Sequence, residues 1–446
     1  MAESGQGRDG DADPDGPAPV LRRAPFSDNP QVGARGQRTQ QRILDAALEV
    51  FGEEGYHRAS IERIATRAGS SRASFYQYFA DKEDVFRNLT GQVARQLRAS
   101  TEAMDSITAD EAGWSALRTW VEAQAAVYHR YEPVFHLFDS ASASDARVAS
   151  GSARWARGMV AAVRVRVEGH TLPTRQLDGV LLDLHGSLTR SLDVATLLRS
   201  LLPEAWPEEP VVTALTDVIH RSLFGRDDAV NVHRGPRRRR PPIPFDPSPV
   251  GGWGPPPEVP STEAGRRTLE RLTRAGRTVL VARGYHGTRV DDVVELAEVS
   301  HGAFYRYFES KEHLARVLVT AAMRTVSQVL VDAPPDIVGD GATGRRALRA
   351  WLRRYAAIQT EQTALLRVWT DAALADPDLR AATAPALDWG RRTMAAWLAP
   401  RGFGDVDTDG LVLESLMSLF GGRTTGGDVE ATALVIERGL LGQRSG

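Results

Sequence analysis

Two stretches of the chain, offset by 229 residues, spell the same pattern. Residues 55–83 read GYHRASIERIATRAGSSRASFYQYFADKE, and residues 284–312 read GYHGTRVDDVVELAEVSHGAFYRYFESKE. They align without a gap, eleven of the twenty-nine positions are identical, and the identities include F-Y-x-Y-F-x-x-K-E. The only two lysines of the chain, Lys82 and Lys311, fall at matching places in that block, among 55 basic residues. A repeat of this length means two copies of one structural unit, so one polypeptide can supply what other proteins obtain by dimerising.

The repetition runs on beyond the block. Ala116, Leu117, Arg118 and Trp120 match Ala347, Leu348, Arg349 and Trp351 at an offset of 231, as does DGVLLDLHGSL from Asp178 with DGLVLESLMSL from Asp409. The last segments, 219–225 and 436–442, correspond at an offset of 217, because the first copy carries an extra stretch around residues 192–207. The whole half is therefore duplicated. Nearly every segment has an apolar period of about 3.6 residues and none sustains strand alternation, which predicts an all-α fold.

Composition narrows the chemistry. With no cysteine in 446 residues, disulfides, thiol catalysis and cysteine metal sites are excluded. The N-terminus lacks a basic-then-apolar signal pattern, and no apolar run of about 18 residues stands out, so a cytoplasmic protein with no membrane partner is expected. The net charge of −2 is neutral on nucleic acid, since local distribution matters more than the sum.

The chain divides by texture. Residues 1–34, rich in Gly, Pro, Asp and Ala, are expected to be a disordered arm. Two small helical heads follow at 35–85 and 263–314, and two larger helical segments at 86–225 and 315–446. Between the halves, 226–262 holds Arg237, Arg238, Arg239 and Arg240 and then a stretch dense in proline and glycine, which is expected to be an extended linker.

Residues 60–78 predict a helix-turn-helix. Ser60 can cap a short helix with Ile61, Ile64 and Ala65 inside, and Gly69 can take the positive φ of a tight turn. A second short helix starts near Ser71, with Phe75 and Phe79 on its buried face. That leaves Arg72, Ala73, Ser74, Gln77 and Tyr78 outside and Tyr76 at the edge. A second helix presented outward suits the major groove, which admits a helix and displays a distinct pattern for each base pair.

At these residues the chain resembles the TetR/AcrR family of transcriptional regulators. The first copy carries the family's motif in Ser60, Ile61, Ile64, Ala65, Ala68, Gly69, Ser71, Ala73, Ser74, Phe75, Tyr76, Tyr78, Phe79, Asp81, Lys82 and Glu83. The second carries it in Thr288, Val290, Val293, Ala297, Val299, Ser300, Gly302, Phe304, Tyr305, Tyr307, Phe308, Ser310, Lys311 and Glu312. The resemblance implies that Tyr76, Tyr78 and Lys82, and likewise Tyr305, Tyr307 and Lys311, contact phosphates of double-stranded operator DNA. Base readout then falls to Arg72, Ala73 and Ser74 in the first copy and to His301, Gly302 and Ala303 in the second, with Ser60, Ser71, Thr288 and Ser300 beside them.

The second copy departs from the motif. Glu298 stands at the turn glycine, Val294 replaces an alanine, and Asp291, Asp292 and Glu295 make its first motif helix acidic. Outward acids repel phosphate, yet residues 264–324 still carry 11 basic against 7 acidic side chains. A helical ligand-binding or adaptor protein whose heads no longer bind DNA is the competing reading. An enzyme is not expected: no nucleophile–base pair, phosphate loop or metal set has usable spacing. His129 and His136, seven apart, are read as structural, and no cofactor is implied.

The resemblance further implies an effector pocket for a small apolar or aromatic molecule. Candidate walls are Trp120, Tyr128, Phe135, Phe138 and Trp155 in the first half and Trp351, Tyr355, Trp369 and Trp389 in the second, though aromatics at helical spacing also build ordinary cores. Family members pair their last two helices with those of a second subunit. Here 178–190 with 210–224 and 409–420 with 429–441 are expected to pair within one chain as a pseudo-dimer, setting the heads about one DNA turn apart, some 34–36 Å. Association of two such chains into a homodimer would present four heads.

Overall fold

A computed structural model describes residues 33–56, 58–137, 146–201, 208–227, 229–230, 257–339, 341–375, 377–401, 404–420 and 428–443. The expected arm, but for its last two residues, and Arg237 to Arg240 of the expected linker lie outside them. The first half contains α1 (Ala34–Glu54), α2 (Ile61–Arg67), α3 (Arg72–Tyr78), α4 (Lys82–Glu102), α5 (Glu111–Arg130), α6 (Ala146–Arg164), α7 (Thr174–Leu201) and α8 (Glu208–Phe224). The second contains α9 (Glu263–Gly287), α10 (Val290–Ala297), α11 (His301–Tyr307), α12 (Lys311–Val331), α13 (Gly341–Ala375), α14 (Pro377–Leu398), α15 (Val406–Met417) and α16 (Val429–Leu434), which continues as a π turn at Val435–Leu440. The protein is all-α. Among the described residues the extended pairing is a single bridge between Ile107 and Val167.

The helix ends follow from the sequence. α1 buries Ile43, Ala47, Val50 and Phe51 and stops at Gly55, whose φ of 77° is a conformation that a side chain would strain. The regular part of α9 stops the same way at Gly284, φ 68°, after burying Leu272, Gly276, Val279 and Leu280. Gly276 also allows close packing, because a Cβ there would stand 2.7 Å from Leu314. α12 has the length and mean hydropathy (1.4) of a membrane span. It is instead half buried, with Leu314, Leu318 and Val319 in the core of the second head.

Among the described residues three apolar cores result. One fills the first head around Phe75 and Phe79, another the second head around Phe304 and Phe308. The third is continuous across the halves, running from Leu117 and Leu184 to Leu352, Leu416 and Phe420.

The seam in that third core joins α7 and α8 to α15, α16 and the π turn. It is self-complementary. Arg221 Nε donates to the carbonyl of Gly439 at 2.7 Å, and Arg438 Nε donates to the carbonyl of Ser222 at 2.7 Å. Arg221 and Arg438 are repeat equivalents, and so are Ser222 and Gly439, so each half does to the other what is done to it. That reciprocity is the mark of an isologous two-fold interface. Both guanidinium groups are buried, 1% and 3% exposed. Gly439 permits the approach, since a Cβ there would meet Ser222 Oγ at 2.4 Å and the Val218 carbonyl at 2.8 Å.

The symmetry is incomplete. α7 has 28 residues where α15 has 12, in line with the extra stretch read from the sequence. The added turns carry Asp193, which accepts from Tyr128 Oη at 3.1 Å, lies 2.8 Å from His136 Nε2, and pairs with Arg190. Burial pulls the His136 imidazole down, but the hydrogen bond and charge of Asp193 outweigh it and leave the group above its ordinary value.

Candidate nucleic-acid interface

The first head is assembled by caps and ion pairs. Ser60 Oγ accepts from the Arg63 amide, Ser71 Oγ from the Ser74 amide and Asp81 from the Asp84 amide, opening α2, α3 and α4 in turn. Arg67 bonds Glu49 and Glu53, and Arg63 bonds Glu54, fastening α2 to α1. Gly69 makes the turn at φ 61°. With Phe75 and Phe79 fully buried, α3 shows Arg72, Ala73 and Gln77 to solvent, with Ser74 and Tyr76 partly covered.

The second head repeats the plan. Ser300 Oγ accepts from the Ala303 amide and Ser310 from the His313 amide; Phe304 and Phe308 are fully buried; His301, Gly302, Tyr305 and Arg306 are exposed and Ala303 partly so. Arg289 stands at the start of α10 without a side-chain cap.

Several sequence expectations need correcting. Tyr78 does not lie outside: it is 9% exposed and belongs to the head core, because α3 turns its i and i+3 positions, Phe75 and Tyr78, to the same face. Thr288 is 2% exposed and its hydroxyl donates to the Gly284 carbonyl at 2.7 Å, which removes it from any outer surface. Tyr307 is half-buried, its hydroxyl donating to the Gly265 carbonyl at 3.3 Å.

The two lysines have a task that the phosphate grip did not anticipate. Lys82 Nζ donates to the carbonyls of Tyr56 at 2.6 Å and Ala59 at 3.2 Å, with the ammonium 4.3 Å from the Tyr56 ring centroid. Lys311 Nζ does the same to Tyr285 at 3.2 Å and Thr288 at 3.3 Å, 5.1 Å from the Tyr285 ring. Each lysine staples the connector between the first two helices of its head. Two of its three donors are spent there, leaving one for an anion. Burial lowers the Lys82 ammonium below its ordinary value despite the nearby Glu83. The signal was in the sequence: both lysines sit at one register, 26 residues after a repeated tyrosine.

Glu298 takes the left-handed turn conformation, φ 50° and ψ 50°, and is the single non-glycine with positive φ among the described residues. Arg271 holds it there, donating to the carbonyls of Ala297 and Glu298. Its repeat equivalent, Arg42, bonds Thr39 instead. A left-handed residue bearing a Cβ costs about 1–2 kcal/mol. Glu298→Gly is therefore expected to stabilise the second head by about 1 kcal/mol, visible as a rise in its thermal midpoint; an unchanged midpoint would mean that the Arg271 contacts depend on the glutamate.

The acids of α10 are also partly engaged. Asp292 lies 2.5 Å from Arg283, and Asp291 Oδ1 lies 2.7 Å from His301 Nε2. In both copies a short helix with Phe75 or Phe304 inside offers its first residues to solvent. That geometry defines a helix-turn-helix DNA-binding head, present twice.

The candidate effector walls that the structure describes are buried or half-buried. Tyr128, Trp351 and Tyr355 are buried core residues, and the side chains of Phe138 and Trp369 lie outside the described residues. Phe135, Trp155 and Trp389 are half-buried. Trp120, with Leu117, Met159, Leu184, His185 and Ile219, surrounds a void in the first half; Trp351, with Leu348, Trp397, Leu413 and Ile436, surrounds one in the second. Each has room for little more than water. Three walls correspond by the repeat, Leu117 with Leu348, Trp120 with Trp351 and Ile219 with Ile436. The first void has a polar wall in His185, whose imidazole burial pushes down to about 4; the second is apolar throughout.

Comparison with known proteins agrees with this geometry. The profile of the bacterial regulatory proteins of the tetR family matches residues 43–89 and 272–318, one head each. A fatty acid metabolism regulator protein of Bacillus subtilis is 37% identical over 71 residues, 16% of this chain and 37% of its own. The HTH-type transcriptional regulator YdgC of the same organism is 34% identical over 71 residues, 16% of this chain and 36% of its own. AcrR of Shigella flexneri is 42% identical over 53 residues, 12% of this chain and 25% of its own. The chain thus spans about a third of the length of the curated relatives it matches. A solved tetR family structure from Shewanella sp. PV-4 aligns with 42% of this chain and 99% of its own, at a TM-score of 0.32 and 17% identity. The family profile thus matches once in each half, so the chain holds two TetR-like halves, each with a TetR-type head.

Proposed function

We propose that this protein is a ligand-responsive transcriptional repressor that places two unlike heads of one chain on an asymmetric, two-half-site operator. The observation that carries this reading is the reciprocal Arg221 and Arg438 seam, which supports an intrachain pairing of the kind that sets two heads on successive major grooves. The reading helices begin with Arg72 in one head and His301 in the other, so their preferred half-sites differ. A ligand that favours a conformation with misplaced heads weakens DNA binding by its differential affinity for the two states.

Selection of bound DNA from a random pool, followed by footprinting, tests this. One chain per operator and two dissimilar half-sites are expected; a perfect inverted repeat would overturn the asymmetric reading. Arg72→Ala is expected to relax preference at one base pair, a loss of about 1–3 kcal/mol of discrimination. Lys82→Ala is expected to weaken binding across all sequences and flatten the salt dependence. Equal, sequence-independent losses from both would remove the division of roles.

A further inference from the structure

We infer that Asp291 and His301 act as one reading device, in which the carboxylate of α10 fixes the imidazole so that the second head selects a base bearing an exocyclic amine. The inference rests on the proposed DNA binding and deepens it. His301 opens α11, is 57% exposed on its side chain, and turns Nε2 to Asp291 Oδ1 at 2.7 Å, while Nδ1 has no partner among the described residues. In a neutral imidazole one nitrogen donates and the other accepts. A carboxylate accepts only, so in the neutral ring Nε2 carries the proton and Nδ1 keeps its lone pair.

A lone acceptor in the major groove matches adenine N6 or cytosine N4, the two amine donors displayed there, and is mismatched to guanine O6 and N7. Arg72, at the same register of the first head, is donor-only and suits guanine. The two heads are therefore opposite in hydrogen-bond sense at one equivalent position. Asp291 is a positioning residue, and its pairing gives a reason for an acid on a helix expected to lie near phosphate. The first copy has Glu62 and Arg72 at these places, with no bond between them among those described.

The test uses the full chain at about pH 8.5, where free imidazole is neutral. Duplexes carry the selected operator with the second half-site intact, scrambled, or with the contacted adenine or cytosine replaced by purine or 2-pyrimidinone, which lack the amine. A several-fold loss on amine removal is expected for the wild type and none for His301→Ala. Asp291→Asn keeps an acceptor for Nε2–H and should retain the preference while raising affinity for all DNA. Asp291→Ala should raise affinity for all DNA but lose the preference.

If scrambling the second half-site changes nothing, the second head does not read DNA and the underlying functional reading fails. If scrambling weakens binding but the amine-free duplexes bind as well as the intact one, or Asp291→Ala keeps the preference, the reading device is refuted alone.

Discussion

Arg221→Ala is expected to cost about 3–5 kcal/mol of stability, measured by chemical denaturation, because it also breaks buried ion pairs with Asp217 and Asp409. Arg438→Ala is expected to cost about 1–3 kcal/mol. Each guanidinium is buried and bonds the backbone of the opposite half: Arg438 reaches the carbonyls of Ser222 and Leu223 and the hydroxyl of Thr171, and Arg221 the carbonyl of Gly439. Removing Arg221 takes a donor from the Gly439 carbonyl, and removing Arg438 takes one from the Ser222 carbonyl, in a buried seam where an unmet hydrogen bond is costly. The paired residues share a network, so the double variant should lose less than the sum of the singles. The heads have separate cores and should remain folded. The expected signature is operator affinity falling towards that of one head, with helical content largely kept. Additive losses with unchanged DNA binding would show that the seam does not set the heads.

Phe304→Ala should remove footprint protection over one half-site, and Phe75→Ala over the other. Each ring is fully buried at the centre of its own cluster, and truncating such a phenylalanine costs about 3–5 kcal/mol. For a three-helix head that loss is comparable to its whole stability. The third core contains neither ring, so the seam should survive and the other head should still bind. Loss of both footprints from either change would mean that the heads fold as one unit.

Much of this was legible in the chain because the repeat turned each pattern into a replicate. Gly55 and Gly284, Phe75 and Phe304, and the caps Ser71 and Ser300 hold equivalent places, and a feature seen twice at one register is hard to misread. Tyr78 was misplaced because a seven-residue helix has too few turns for periodicity to separate its buried face from its edges. The lysine staples left only a shared register with a repeated tyrosine, and the Arg271 clamp no trace, because their partners are backbone carbonyls, which have no side-chain signature. The pairing of Asp291 with His301 links two helices across a turn, a contact that depends on their crossing and not on spacing. The effector walls stayed ambiguous for a further reason: an aromatic lining a closed void and one filling a core carry the same letters.

The mutual arginine clasp has a consequence for dosage. Two free subunits find each other at a rate set by the square of their abundance, so a scarce regulator spends its time apart. Halves joined on one ribosome product meet by an intramolecular step whatever the copy number. Occupancy of a promoter would then track protein level linearly, and either half could change its text without forcing the same change on its mate.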